Sequence, residues 1–169
     1  MIVVVNDANI LIDLVKLQLL PHFFSLQIRF YTTDLILNEL HEWQVEELQL
    51  YINSGVLTIN ELTDNELIDV ALLQTEKRQL SEQDCSAIVC ARKVSGSLLT
   101  SDKNLRNFAT KKAISVIGHL WVFDKMVAEN TITPQNAILK LTELREVVNT
   151  RLNLPKIECE NRLELWKTL

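Results

Sequence analysis

Glycine and proline are scarce in this chain, three of each in 169 residues. A sandwich of many short strands needs more turn residues than that, which argues against an all-β architecture. Long hydrophobic runs are also missing. No stretch approaches the roughly 20 apolar residues that span a bilayer. The apolar start, Ile2 to Val5, is too short for the core of an export signal and has no basic flank. Cysteine is sparse and odd in number. Cys85, Cys90 and Cys159 do not make a disulfide framework, and the CxxC or CxxH spacing of a zinc site is lacking. These absences predict a cytoplasmic protein with no membrane partner. They also predict that Cys85 and Cys90 share a helix as core residues.

What is present is globular. The hydrophobic fraction is 47% and the charged fraction 23%, enough for one domain whose core needs no staples. Net charge is −5, a mild argument against a nucleic-acid partner. The distribution says more. Residues 1–76 hold two basic and twelve acidic residues, residues 77–112 eight basic and three acidic, and residues 113–169 seven of each. The middle segment is therefore a candidate surface for a polyanion, with solvated helix faces as the plain alternative.

Short β-branched or apolar runs at 2–5, 28–32, 56–59, 97–100 and 114–117 are predicted strands. Helices are expected between them: Asn9 to Leu20, broken by Pro21; Thr33 or Asp34 to about His41; Val45 to Ile52, ended by Gly55; a helix opened by Thr63, with apolar positions 67, 68, 70, 71 and 72; and one capped by Ser81, with Ile88, Val89 and Ala91 inward. Asp102 begins another helix, and two more cover about 119–129 and 134–149. Alternating strands and helices predict a three-layer α/β/α sandwich around a parallel sheet, with added C-terminal helices. Residues 1–150 are expected to form the domain. Residues 151–169 are expected to form a helical tail, docked through Leu163, Leu165 and Trp166 on the domain or on a partner. No internal repeat, low-complexity segment or interdomain linker is visible.

Asp7 follows the first predicted strand, Asp102 follows the fourth, and Asp84 lies in an opening helical turn. In a parallel α/β sheet the first two positions fall at the carboxyl edge, where ligands bind. Carboxylates gathered at one spot repel unless a cation lies between them, and hard ions such as Mg²⁺ take oxygen ligands. Singly, each acid has a plain reading. Asp7 and Asp102 suit helix caps, Ser81-Glu82-Gln83-Asp84 resembles a capping box, and Glu39 suits a solvated helix face.

The joint pattern resembles the PIN-domain nucleases, best known as the VapC-type toxins of bacterial toxin–antitoxin pairs. Val5-Asn6-Asp7-Ala8-Asn9-Ile10-Leu11-Ile12 resembles the family's opening motif, although polar Asn6 stands where an apolar strand residue is commoner. Leu37-Asn38-Glu39-Leu40 resembles its helical Glu. Leu80 to Ile88, around Asp84, resembles its third motif, and Leu98 to Leu105, around Asp102, its fourth. Together they run in family order across most of residues 1–110. Gly118-His119-Leu120-Trp121 and the helical tail resemble a subgroup with added helices.

The resemblance implies that Asp7, Glu39, Asp84 and Asp102 are a catalytic quartet holding Mg²⁺ or Mn²⁺. It implies an endoribonuclease that hydrolyses RNA phosphodiester bonds, with an antitoxin partner if the protein is a toxin, and a homodimer. A metal that activates water removes the need for a His or Lys base, so His22, His41 and His119 are read as structural. Thr100 and Ser101 are candidate supports for a water or phosphate, Asn104 a candidate extra ligand, and Lys103 and Arg106 candidate contacts to substrate phosphates. The rival classes fit less well. A haloacid-dehalogenase-like phosphatase needs an Asp where Asn9 stands, a receiver domain needs one after the third strand, and a dinucleotide-binding domain needs a Gly-rich loop. The non-enzyme alternative is a PIN fold that binds protein or RNA with little or no catalysis.

Overall fold

Five parallel strands form one sheet in the computed structural model, which describes residues 1–169. They are β1 (Ile2–Asn6), β2 (Ile28–Thr33), β3 (Leu57–Asn60), β4 (Ser97–Leu99) and β5 (Val116–Ile117), in the order β3-β2-β1-β4-β5. β1 is central, and Val5 pairs with Tyr31 on one side and Leu98 on the other. Val4 and Val5 are fully buried, as expected where helices cover both faces of a parallel sheet. The result is a PIN-like α/β/α sandwich. From β1 the chain builds outward to β3, then returns to lay down β4 and β5. That reversal opens a crevice between the carboxyl ends of β1 and β4.

Ten α-helices connect and flank the strands: α1 (Ala8–Lys16), α2 (Leu20–Phe24), α3 (Asp34–Leu37), α4 (Glu42–Asn53), α5 (Asp64–Glu76), α6 (Glu82–Val94), α7 (Lys103–Lys111), α8 (His119–Ala128), α9 (Pro134–Glu143) and α10 (Lys156–Lys167). The most enclosed is α6, with every residue from Cys85 to Ala91 buried. It packs against α3, α5 and three of the strands. Its start is fixed by a capping box. Asp84 N–H donates to Ser81 Oγ at 3.1 Å, and Ser81 N–H donates to Asp84 Oδ2 at 2.9 Å. Thr63 and Glu66 form the same device on α5. Gly55, at φ 76°, ends α4 in the left-handed conformation that glycine takes without strain.

Three expectations are corrected. The first helix ends at Lys16, before Pro21, because Gln18 turns left-handed at φ 58°. Pro21 then lies in the first turn of α2, where its missing N–H costs nothing. The helix after β2 stops at Leu37, so Glu39 sits in the turn that follows, its N–H on the Ile36 carbonyl at 3.1 Å. On α5 the inward residues are Val70 and Leu73, while Leu67, Ile68 and Leu72 are exposed. The helix from 134 does not run evenly to 149. It passes at Leu144–Val148 into one wider π turn.

α10 packs on α9. Its Trp166 is buried beside Phe123 of α8, with ring centroids 6.2 Å apart. Arg162 grips Asp124 of α8 by two nitrogens, Nε at 2.9 Å and Nη2 at 2.7 Å from Oδ2. Leu163 is half-buried and Leu165 exposed. No helix is long and apolar enough to cross a membrane.

Candidate active site

The end of β1 delivers Asp7 into the crevice. Its backbone N–H still pairs with Leu99 O on β4 at 3.1 Å, so the sheet ladder fixes where the side chain starts. Oδ1 accepts from Ala8 N–H at 2.7 Å and caps α1, and Oδ2 accepts from the Thr100 hydroxyl at 2.7 Å. Thr100 Oγ1 in turn accepts from Asp102 N–H at 3.1 Å. Buried Thr100 therefore ties the ends of β1 and β4 together and sets the spacing of Asp7 and Asp102. Asp102 caps α7 through Oδ1, which accepts from Leu105 N–H at 2.8 Å.

Asp84 enters from the first turn of α6 and Glu39 from the turn after α3. All four acids line one open cleft of about 470 Å³, together with Asn9, Ile12 and Ser81. No cation lines it. As placed, no three His, Cys, Asp or Glu side chains anywhere in the chain are grouped tightly enough to enclose an ion.

The electrostatics show that these acids feel one another. Burial pushes the Asp7 carboxyl up to about 7; the Thr100 and Ala8 hydrogen bonds oppose that, and the charges of Asp84 and Glu39 add to it. Glu39 is raised by burial and then by Asp84. Asp84 is raised by burial, held back by its bonds to Ser81, and raised again by Asp102. In each case removal from water comes first and like charge reinforces it.

The other predicted residues lie elsewhere. Lys103 and Arg106 line a second cleft, on the far side of the Thr100–Asp102 loop. Arg106 Nη1 donates to Thr100 O at 2.7 Å. Ser101 also faces that second cleft, its Oγ 2.8 Å from His119 Nδ1. Asn104 is exposed and lines neither cleft. Elsewhere in the basic segment, Lys93 and Lys112 are neutralised by Glu66 and Glu76, both from the acidic first half.

The network behind the loop has no signal in the sequence. Asp13 Oδ2 meets His119 Nε2 at 2.9 Å and Asn149 Nδ2 at 3.0 Å, and both members of the Asp13–His119 pair are buried. It links α1, the start of α8 and the end of the π turn, and through Ser101 it holds the loop that carries Asp102. His119 thus serves structure, as does His22, whose Nδ1 meets the Thr131 carbonyl. Cys85 and Cys90 are buried, their thiols pushed by burial to about 11 and about 12, which keeps them protonated and inert.

A family model described as DUF3368, a PIN domain, matches residues 3–166. No curated protein matches the chain. The match covers nearly the whole sequence, and the chain belongs to the PIN-domain family, whose members are generally nucleases.

Proposed function

From its place in the PIN-domain family, we propose that this chain is a metal-dependent endoribonuclease, with Asp7, Glu39, Asp84 and Asp102 as its catalytic and metal-holding groups. The observation that carries the reading is the cleft at the sheet reversal, where four carboxylates from four segments meet without a cation. An all-oxygen donor set fits a hard ion such as Mg²⁺ or Mn²⁺. The open spacing fits as well, because Mg²⁺ is commonly held by one or two carboxylates, with water and substrate phosphate completing its shell.

When bound, the ion supplies an activated water and neutralises charge on the reacting phosphate. The chain's own residues do the placing. Asp7 is fixed by Ala8 and Thr100, Asp84 by Ser81, and Asp102 by Leu105. Each of these three spends oxygen lone pairs on a backbone or hydroxyl donor and keeps others for the cleft. Thr100 acts as a positioning residue between two of them. Glu39, in a turn, is free to adjust as the ion and substrate arrive. Burial raises the Asp7 carboxyl to about 7, so it holds a proton far more readily than an ordinary Asp, and that proton must leave when a cation binds.

The reading includes a toxin role with an antitoxin partner, and a homodimer. Leu67, Ile68 and Leu72, exposed on α5, supply apolar surface for such a contact. The cleft is tested by calorimetric titration with Mn²⁺. Binding should strengthen as pH rises toward about 7 and then level off, and Asp7→Asn, which removes one of the proposed ligands, should weaken it across the whole range. Wild-type protein that takes up no Mn²⁺ would leave a PIN fold used for binding alone.

A further inference from the structure

The cleft beyond the Thr100–Asp102 loop has a volume of about 450 Å³, in the range of small-ligand sites. Its walls are α7, β5, the start of α8 and the segment leading into α10. It shares that loop with the acidic cleft. Asp102 lines one side, while Ser101 and Lys103 line the other. The two clefts are therefore neighbours across residues 101–103.

We propose that this cleft is a subsite for one nucleotide unit of the RNA strand, with the base against Trp121 and Leu154 and the phosphate on Lys103 and Arg106. The proposal rests on the nuclease reading and deepens it.

The lining has two kinds of surface, and a nucleotide has the same two. Val116, Leu120, Trp121, Leu154 and Pro155 make an apolar wall suited to a flat base, which stacks on aromatic rings without regard to its identity. The charged side is net positive. Arg162 pairs with Asp124 and Glu158 and offsets one of those two charges, so the positive excess lies at Lys103 and Arg106. Lys103 and Arg106 belong to none of the chain's ion pairs. The Arg106 bond to Thr100 O uses only Nη1, which leaves the rest of the guanidinium for a phosphate.

Gly118 lets Ser101 and Arg106 lie close against the backbone at the floor. A Cβ there would lie 2.8 Å from Ser101 Oγ and 3.1 Å from Arg106 Nη1. The acidic cleft offers no such reception. Metal-free, it repels a phosphate, so the strand is held from this side. The helical tail then has a function in the site, because Leu154, Pro155 and Arg162 belong to it.

The test is an NMR titration of the metal-free wild-type chain in EDTA with adenosine 5′-monophosphate, and separately with adenosine and with inorganic phosphate. The three tryptophans report separately. Trp43 is exposed on α4, and Trp166, on α10, is buried against Phe123 of α8. Adenosine 5′-monophosphate should move the Trp121 indole resonance and leave the other two in place. Lys103→Gln should weaken the nucleotide about fivefold, as loss of one exposed charge contact does, and leave adenosine unchanged. Trp121→Leu should weaken both, and Trp121→Phe should restore them in part.

A silent Trp121, or a response that inorganic phosphate alone reproduces, overturns the subsite. If RNA is cleaved while Trp121 stays silent, the subsite falls and the nuclease reading stands. If Trp121 responds to the nucleotide but no RNA is cleaved with metal, the nuclease reading falls and a nucleotide site remains.

Discussion

Two clefts of nearly equal size, about 470 and about 450 Å³, lie on either side of one short loop, and their chemistry is opposite. The first is lined by four acids and no cation. The second mixes an apolar wall with cations that outnumber the acids. The first comes from strand ends and helix starts that face the sheet reversal, so its place follows from topology. The second is closed on one side by the segment leading into α10, which Trp166 and Arg162 hold against α8. The comparison teaches that the parallel sheet fixes where chemistry can occur, while the added helices decide what can be held beside it.

The sharpest way to break the comparison is to neutralise the acidic side. Asp84→Asn should lower RNA cleavage by more than about a thousandfold, beyond the loss of a single transition-state hydrogen bond. The metal-free fold should be as stable or more so, because the Asn carbonyl oxygen can still accept from Ser81 N–H while one like charge is gone. A mutant with a clearly lower melting temperature and retained cleavage would make Asp84 only a helix cap.

A second expectation concerns pH without metal. The folded value for Asp7, about 7, lies above its ordinary 3.8. Between those values the folded chain keeps a proton that the unfolded chain has lost. Stability should therefore fall as pH rises from about 4 to about 7, by up to about 4 kcal/mol, and then stay level. Glu39 and Asp84 act in the same direction. Urea unfolding in EDTA across this range measures the slope, and Asp7→Asn should flatten it. An unchanged slope in the mutant would assign the effect to other groups.

The wall between the clefts gives a third. His119→Leu leaves the buried Asp13 carboxylate with Asn149 alone and should cost about 3 kcal/mol in urea unfolding. A loss below about 1 kcal/mol would show that the network does not hold the loop. The smallest effect belongs to the second cleft. Lys103→Ala should flatten the salt dependence of RNA binding by about 0.7 in logarithmic slope, one phosphate contact on a single strand, without changing which sequences bind.

How much of this was legible in the sequence depends on how local each feature is. Asp7 and Asp102 could be read because an apolar run that ends in Asp places the acid at a strand end. Asp84 was legible because a capping box is written within four residues. Glu39 was legible only as an acid in a motif. Its turn was not, since the apolar spacing through Leu37 and Leu40 continues a helical pattern that the backbone abandons. On α5, the apolar residues at 67, 68 and 72 gave no warning that they lie outward, because burial is set by whichever neighbour covers the helix. The second cleft is not legible in the sequence, although Lys103 and Arg106 stand out there as cations just after Asp102. Its walls lie about fifty residues apart, and the contacts that join them, Trp166 with Phe123 and Arg162 with Asp124, obey no periodicity. Charge segregation was misleading in part, because the basic segment folds against the acidic one at Lys93–Glu66 and Lys112–Glu76.

The central claim is that the acidic cleft cuts RNA through a divalent ion held by its carboxylates. Its direct test is cleavage of a single-stranded RNA by the purified chain in Mg²⁺ or Mn²⁺, and again after thorough chelation with EDTA, with Asp84→Asn alongside. The account predicts cleavage by the wild-type protein with metal, none after chelation, restoration when metal is added back, and none from the mutant. Cleavage that survives chelation, or that Asp84→Asn retains in full, would contradict it.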